Sequence, residues 1–440
     1  MGIRRIISLW ILFSFVMIIT SCKTKNRNEN VVSAAEIDSV VRKMSDIMVH
    51  DVTNPPLAAR FFAYAFLSGY EIVSQNNPSV KNMKELLNNY PSIIKPNIKN
   101  YDYHLAALLA VIETAKRIQP SGKQLENIKE KILTQAENNL DKETIDGSVD
   151  YATDITGQVL KYAREDGYRN FSDYPRYSPL NSEGSWFPTP PAYIAAIEPY
   201  FGKLRPFFLD SVTSFIPSPP VPFNKDKSSA FYALMDSVYQ IRKSLTIEQQ
   251  EKAAFWDCNP FALSDQGHLK VGIKKISPSA HWMGIAGIAC TQQNLSFDSS
   301  MMIHGVLALT LTDAFICCWN EKYRSNRVRP ETAIRKFIDP EWKPFLQTPP
   351  FPEYVSGHSV VSGASAEILS HFFGDNFNYK DSVEKDFGLL PRNFNSFRQA
   401  AQEAAISRYY GGIHFMDANI NGLQLGEKIG KYVVSNYSKQ

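Results

Sequence analysis

Three short groups of residues in this chain have the types and spacing to hold an oxyanion and move protons on it. The first is Pro350-Phe351-Pro352-Glu353-Tyr354-Val355-Ser356-Gly357-His358. Its prolines hold the backbone extended, since each fixes its own φ and steers its predecessor away from helix. The small and apolar run that follows, to about Phe373, reads as helix, with Ser356 as N-cap and Gly357 and His358 in the first turn. Free first-turn N–H groups at the positive end of the helix dipole suit an anion. A histidine held there can pass protons to whatever the anion becomes. Alone, such a tripeptide is usually just a cap with a surface histidine; it acquires chemistry only if cations meet the same anion.

Cations come from two further places. Lys322 stands at the expected end of a long helix, and Arg329-Pro330 follows after a short connection. Pro330 biases Arg329 toward extended backbone, so its side chain can turn back from the connection. Arginine forks two donors onto an oxyanion, and lysine adds a compact point charge. Taken singly, a basic helix end also serves to offset the helix dipole. Farther along, Ser407-Arg408 closes another helix, Gly411-Gly412 stops it, and His414 lies just beyond.

The elements that must position these groups are helices. Pro55-Pro56 opens one with a proline at its start. Further helical patterns fall at about 102–118, 123–140, 152–166, 228–243 and 246–256. The second half continues with 278–291, a long helix from 298 to 322, then 357–373, 394–410 and a last one to about 434. The long helix places Ile303, Val306, Leu307, Thr310, Leu311, Ala314, Phe315 and Cys318 at helical spacing. No sustained period-2 alternation and no internal repeat is present, so an all-α fold is expected. A Tyr-, Pro-, Ser- and Asn-rich loop at about 167–200 is long enough to act as a lid or a wall.

Composition sets the outer limits. Of 440 residues, 44% are hydrophobic and 21% charged, as in a globular protein large enough for one or two cores. A net charge of only +3 supplies no global basic field, so no nucleic-acid partner is expected and any preference for anions is local. Arg4-Arg5, the apolar stretch Ile6 to Ile19 and then Thr20-Ser21-Cys22 form an export leader. Its last residues resemble a bacterial lipobox, which implies cleavage, lipidation of Cys22 and a membrane-anchored protein on the periplasmic side or cell surface. The apolar run is shorter than the roughly 20 residues of a membrane span. Beyond it, no other segment is expected to reach membrane-spanning length without charges. Cys258, Cys290, Cys317 and Cys318 are too few for a disulfide framework, and the last two read as core residues.

Together, Lys322 with Arg329-Pro330, Ser356-Gly357-His358, and Ser407-Arg408 with His414 match, in this order, a three-part signature. It is the signature shared by the vanadium-dependent haloperoxidases and the type-2 phosphatidic acid phosphatase superfamily. The resemblance covers roughly residues 275–435 and implies a multi-helix bundle of that type. With the leader and the polar run after it, four parts are expected: a leader over 1–22, a polar tether over 23–50, an N-terminal helical region over 51–270 and a catalytic core over 271–440. In the haloperoxidases the anion is vanadate. The resemblance then implies that Lys322, Arg329, Ser356, Gly357 and Arg408 cage it, His414 binds vanadium through a ring nitrogen, and His358 is the acid/base. Hydrogen peroxide and a halide are the implied substrates. In the phosphatases the anion is phosphate, His414 attacks the phosphorus of a phosphate ester, and His358 protonates the leaving group.

Ser279-Ala280-His281-Trp282, Asp313-Ala314-Phe315, Cys318-Trp319-Asn320-Glu321-Lys322 and Arg329-Pro330-Glu331-Thr332-Ala333-Ile334-Arg335 resemble secreted bacterial vanadium haloperoxidases beyond the three motifs. So do Phe351 and Tyr354 before Ser356, although Val355 stands where proline is frequent. Iodide or bromide is the expected halide, with Ser365 standing where an algal-type bromoperoxidase would carry histidine. The alternative is an acid phosphatase, and a non-enzymatic lipoprotein would require a lost key position, which the chain does not show. Trp319 is expected either to wall the anion pocket or simply to pack, and Phe351 to shape the halide approach. His304 and Asp313 read as structural. Asp417 is either a partner that orients His414 or a surface carboxylate. His281 is a candidate for lining the cavity.

Overall fold

Serine and asparagine caps open most of the helices that carry the fold. The structure is a computed structural model and describes residues 31–190, 193–266 and 269–439. The leader with Cys22, and the first residues of the tether, lie outside the described residues.

The helices in chain order are α1 (Ala34–His50), α2 (Pro55–Asn76), α3 (Met83–Leu86), α4 (Tyr103–Ile118), α5 (Glu126–Glu137), α6 (Lys142–Arg164) and α7 (Ala230–Lys243). They continue with α8 (Ile247–Phe255), α9 (Pro278–Gln292), α10 (Phe297–Ser325), α11 (Pro330–Phe337), α12 (Gly357–Phe373), α13 (Phe397–Tyr410) and α14 (Met416–Ser438). The class is all-α. Two antiparallel ribbons are added, β1 (Leu263–Gln266) with β2 (Leu269–Gly272), and β3 (Tyr379–Asp381) with β4 (Arg392–Phe394). Strands of three or four residues are too short to show the alternation that would mark them in a sequence.

The expected tether is corrected by α1. Ser33 and Glu36 form a capping box, and Ile37, Val40, Val41, Met44, Ile47 and Met48 are buried along one face. The helix expected at 123–140 is a 3₁₀ turn, Gly122–Leu125, followed by α5. Helix α6 begins ten residues earlier than expected, because the Asp141 side chain accepts from the Thr144 N–H and starts it there. Helix α13 starts after β4, at the Ser396 cap.

Helix α10 is the axle. It packs against α2, α12 and α9, and its residues join those of α1, α2, α4, α6, α12 and α14 in one buried apolar cluster. By length and composition α10 could cross a membrane, contrary to the expectation that no further segment would. Yet 94% of its most apolar window is buried inside the protein, as in a core helix. Helices α12 and α14 touch backbone to backbone. A Cβ on Gly426 would lie 2.0 Å from the Val360 carbonyl oxygen, so only glycine permits this approach. That contact fixes the start of α12 beside the residues that lead into α14.

Candidate active site

Three buried cations converge near the start of α12. Lys322 lies one turn before the end of α10, which runs on to Ser325 and is capped by Asn326 in the left-handed region, so Lys322 does not close the helix as expected. Its ammonium donates to the carbonyls of Pro352 (2.9 Å), Glu353 (3.1 Å) and Val355 (2.6 Å), tying the proline-rich strand to the helix. Arg329 is extended (φ −80°, ψ 152°) before Pro330. Its Nε donates to Phe351 O (2.9 Å), and its Nη1 donates to Ile413 O (2.9 Å) and lies 3.1 Å from His414 Nε2. Its Nη2 is buried and has no partner among the described residues. Arg408, on the last turn of α13, donates to Ser407 Oγ (3.1 Å) and to Ala253 O (3.2 Å).

Among the described residues, none of these three cations makes an ion pair. Neighbouring Arg327, by contrast, is held by Glu353 at 2.5 Å and by Asp417 at 2.6 Å. Burial outweighs the more distant carboxylates, Glu353 for the first two and Asp257 for the third, and pushes the Lys322 pKa down to about 7 and that of Arg329 down to about 10, and lowers Arg408 as well. A multiply charged anion would relieve all three.

The α12 start faces the same place. Ser356 is the N-cap and accepts from the Ser359 N–H (3.4 Å) and the Ser359 hydroxyl (2.9 Å). Gly357 opens the helix, and a Cβ there would meet Trp319, Cys318 and Lys322 at 3.6–4.0 Å, filling the hollow that the missing side chain leaves. His358 presents a buried Nε2 that has no partner among the described residues. Burial, then the charges of Arg408 and His414, hold its pKa well below the usual histidine range, against a backbone hydrogen bond at Trp256.

His414 reaches the site through the glycine turn, where Gly412 takes φ +73°. Its Nδ1 is 2.8 Å from Glu353 Oε1, and that oxygen also accepts from the Phe415 N–H at 3.0 Å. A carboxylate only accepts, so Nδ1 carries the hydrogen and Nε2 keeps its lone pair, pointing to Arg329. Burial, then Arg329 and Lys322, keep this imidazole neutral by lowering its pKa well below normal. The partner that orients His414 is therefore Glu353, which sequence reasoning passed over. Asp417 instead forks onto Arg327, at 2.6 and 2.8 Å, one step behind. It is neither the direct partner of His414 nor a free surface carboxylate.

Gly357, His358, Arg408 and His414 line one cavity of about 30 Å³, together with Trp319 and Phe351. That is small, yet above the roughly 10–15 Å³ that one water needs. Trp319 and Phe351 pack with ring centroids 4.9 Å apart, and Lys322 and Arg329 lie over the Phe351 ring at 5.1 and 5.0 Å. Pro55 from the α2 start and Cys258-Asn259-Pro260 add to the wall. Pro55 is readable only as a helix start, and nothing local marks Cys258, Asn259 or Pro260 as part of a cavity.

His281 does not line this cavity. It is buried behind Cys258, with Nε2 2.8 Å from Asp381. His304 bonds the Ser300 carbonyl at 2.7 Å and stacks on Phe66, and Asp313 accepts from the N–H groups of Phe207 and Phe208 at 2.7 and 2.8 Å; both are structural. No described residue of the 167–200 loop lines the cavity. The loop braces it from outside, where Ile197 O accepts from Trp319 Nε1 (3.2 Å) and the Tyr323 hydroxyl (2.6 Å).

Taken together, the site offers three unpaired cations, a neutral histidine with a directed lone pair, and a second neutral histidine at the cavity. Comparison with known proteins gives this arrangement a setting. Residues 302–440 match a family model described as the VCPO second helical-bundle domain. Vanadium-dependent bromoperoxidases of Corallina officinalis and Corallina pilulifera are 30% identical over 105 residues, covering 21% of this chain. The match spans only 18% of the length of these relatives. A solved structure of the first bacterial vanadium-dependent iodoperoxidase superposes with a TM-score of 0.86 at 40% identity, covering 92% of this chain and 96% of that one. A holo-type bacterial vanadium-dependent chloroperoxidase superposes at 0.66 with 16% identity, covering 88% of this chain and 93% of that one, a likeness of fold alone.

Proposed function

This chain belongs to the vanadium-dependent haloperoxidase family, and we propose that it uses hydrogen peroxide to oxidise halide, iodide or bromide first, with vanadate bound in the cage around His414. The observation that carries the reading is the set of three buried cations, Lys322, Arg329 and Arg408, none of them ion-paired among the described residues. Buried charges without partners are costly, so an apo-protein of this kind is built around an anion it expects to hold. The partnerless Nη2 of Arg329 and the hollow at Gly357 fit an oxyanion such as vanadate.

In this reading Lys322, Arg329 and Arg408 neutralise the oxyanion, with the Ser356 hydroxyl and the Gly357 N–H as further donors. His414 supplies the ligand nitrogen, since Glu353 holds its Nδ1–H and leaves Nε2 basic. Bound vanadate supplies the activation of peroxide toward halide. His358, kept neutral by burial and by the charges around it, takes up the proton that peroxide must lose on arrival and returns it to the departing oxygen. Trp319 and Phe351 narrow the approach and keep bulk water away.

A paired assay on the purified protein tests this. Apo-protein with orthovanadate, peroxide and iodide or bromide should oxidise halide in proportion to the vanadate bound. Vanadate-free protein with a chromogenic phosphate monoester should hydrolyse it feebly. Fast hydrolysis that vanadate inhibits would instead make it a phosphatase of the same architecture. The leader reading accompanies the proposal. Fatty-acid labelling that disappears in Cys22→Ala would place the lipid anchor there, and equal labelling of both forms would remove it.

A further inference from the structure

We propose that Cys258, His281 and Glu384 form a binding site for one divalent metal ion of the zinc type, behind the wall of the oxyanion cavity. The three side chains come from the loop after α8, from α9 and from the 3₁₀ turn Val383–Phe387. None is more than 2% exposed. The Cys258 sulfur lies 3.6 Å from His281 Nδ1 and 3.7 Å from Glu384 Oε1, and Nδ1 lies 3.4 Å from that oxygen.

These separations are the argument. Zinc binds thiolate at about 2.3 Å and imidazole or carboxylate at about 2.0–2.1 Å in tetrahedral geometry. A tetrahedral centre therefore sets sulfur and nitrogen about 3.6 Å apart, sulfur and oxygen about 3.5 Å, and nitrogen and oxygen about 3.3 Å. The observed triangle agrees on all three edges to within about 0.2 Å. The two sulfur contacts also suit hydrogen bonds of a thiol, but the Nδ1 to Oε1 distance exceeds the roughly 2.7–3.2 Å of an N–H···O bond.

Two further observations point to a ligand. Glu384 Oε2 is buried and has no partner among the described residues. On the opposite edge of the ring, His281 Nε2 meets Asp381 Oδ2 at 2.8 Å, and Asp381 itself accepts from the Val383 N–H at 3.0 Å. A carboxylate holding the far N–H of a histidine is how metal sites fix the ring, and here it sets Nδ1 to face Cys258 and Glu384, where a metal would displace its proton. Trp256 stacks on the ring at 4.6 Å and fixes its plane. Cys258 also lines the oxyanion cavity, which gives an ion a route in. Cysteine, histidine and glutamate together suit zinc, whereas magnesium and calcium prefer oxygen alone.

The test uses the whole protein and two metals, Zn²⁺ and Co²⁺. Protein isolated without chelator should carry close to one zinc per chain. After stripping, Co²⁺ should produce a thiolate-to-cobalt charge-transfer band in the near ultraviolet, together with the visible bands of a tetrahedral ion, and Zn²⁺ should erase both. Cys258→Ser should lose the charge-transfer band, and Asp381→Asn should weaken Zn²⁺ by about 10–100-fold while keeping it. If wild-type protein holds only trace zinc and Co²⁺ leaves its spectrum unchanged, the cluster is an imidazolium between two carboxylates and the proposal is wrong. A band that persists in Cys258→Ser would place the metal elsewhere and equally overturn it.

Discussion

Glu353 Oε1 lies 2.8 Å from His414 Nδ1, while Oε2 of the same carboxylate is gripped by Arg327 at 2.6 Å. The proposed vanadium ligand is thus set by a buried carboxylate that is itself set by an arginine. Glu353→Gln keeps the size but can offer its amide nitrogen where only an acceptor fits, and it loosens the imidazole. Vanadate affinity should fall by about 10–100-fold, the usual loss when such a partner is removed. Titrating apo-protein with orthovanadate and following the return of halide oxidation measures it. An unchanged half-saturation point would leave His414 oriented by something else.

His414 and His358 should separate binding from turnover. His414→Ala removes the nitrogen that Glu353 aims, so vanadate should no longer be retained through dialysis. His358→Ala removes only a proton carrier, so the anion should stay while kcat falls by about 10²–10⁴-fold. Equilibrium dialysis beside a halide-oxidation assay distinguishes the two. Tight vanadate retention with normal turnover in His414→Ala would mean the site has been misplaced.

Much of this site was legible because its pieces sit at helix junctions, and junctions are written locally. Proline at the first position of the helix that Arg329 caps, serine before Gly357 and glycines after Arg408 each announce a start or a stop within a few residues. What stayed hidden depends on contacts across the chain. Glu353 stands inside the most conspicuous stretch of the sequence, but its partners are 26 residues upstream and 61 downstream. His281 is 100 residues from Asp381, and no periodicity joins them. Helix α1 is a different kind of miss. Its Ser33–Glu36 box and its apolar spacing were readable, and the polar run from Lys23 to Asn30 outweighed them.

The glycine contact between α12 and α14 should couple stability to the site. A Cβ at Gly426 would fall 2.0 Å from the Val360 carbonyl oxygen and 2.9 Å from the Ala364 nitrogen, both of them backbone atoms that cannot swing aside. Gly426→Ala must push the two helices apart and should cost about 1–3 kcal/mol. Because α12 begins at Ser356-Gly357-His358, the same shift should also weaken vanadate binding. Thermal unfolding with and without vanadate reads both effects. A melting temperature equal to wild type would show that the helices have room to spare.

Lys322 should make vanadate binding depend on pH in a particular direction. Burial, against weaker raising effects from Cys318 and Glu353, brings its pKa down to about 7 in the apo-protein, whereas an unfolded lysine titrates near 10.4. Between those values the unfolded chain binds more protons than the folded one, so apo-protein stability should rise with pH across that window. A bound oxyanion reverses the balance by holding the ammonium charged, so above neutrality each binding event must take up a proton at Lys322. Affinity for vanadate should therefore fall as pH rises from about 7, beyond what the anion's own ionisation explains. Lys322→Met supplies the control, since vanadate ionises identically with either protein. Wild type should bind much more tightly than the variant at about pH 6, and the ratio should shrink by roughly tenfold for each pH unit above the apo pKa. A ratio that stays constant up to about pH 9 would mean that Lys322 keeps its proton without the anion, and that its three carbonyl partners are enough to hold a buried charge.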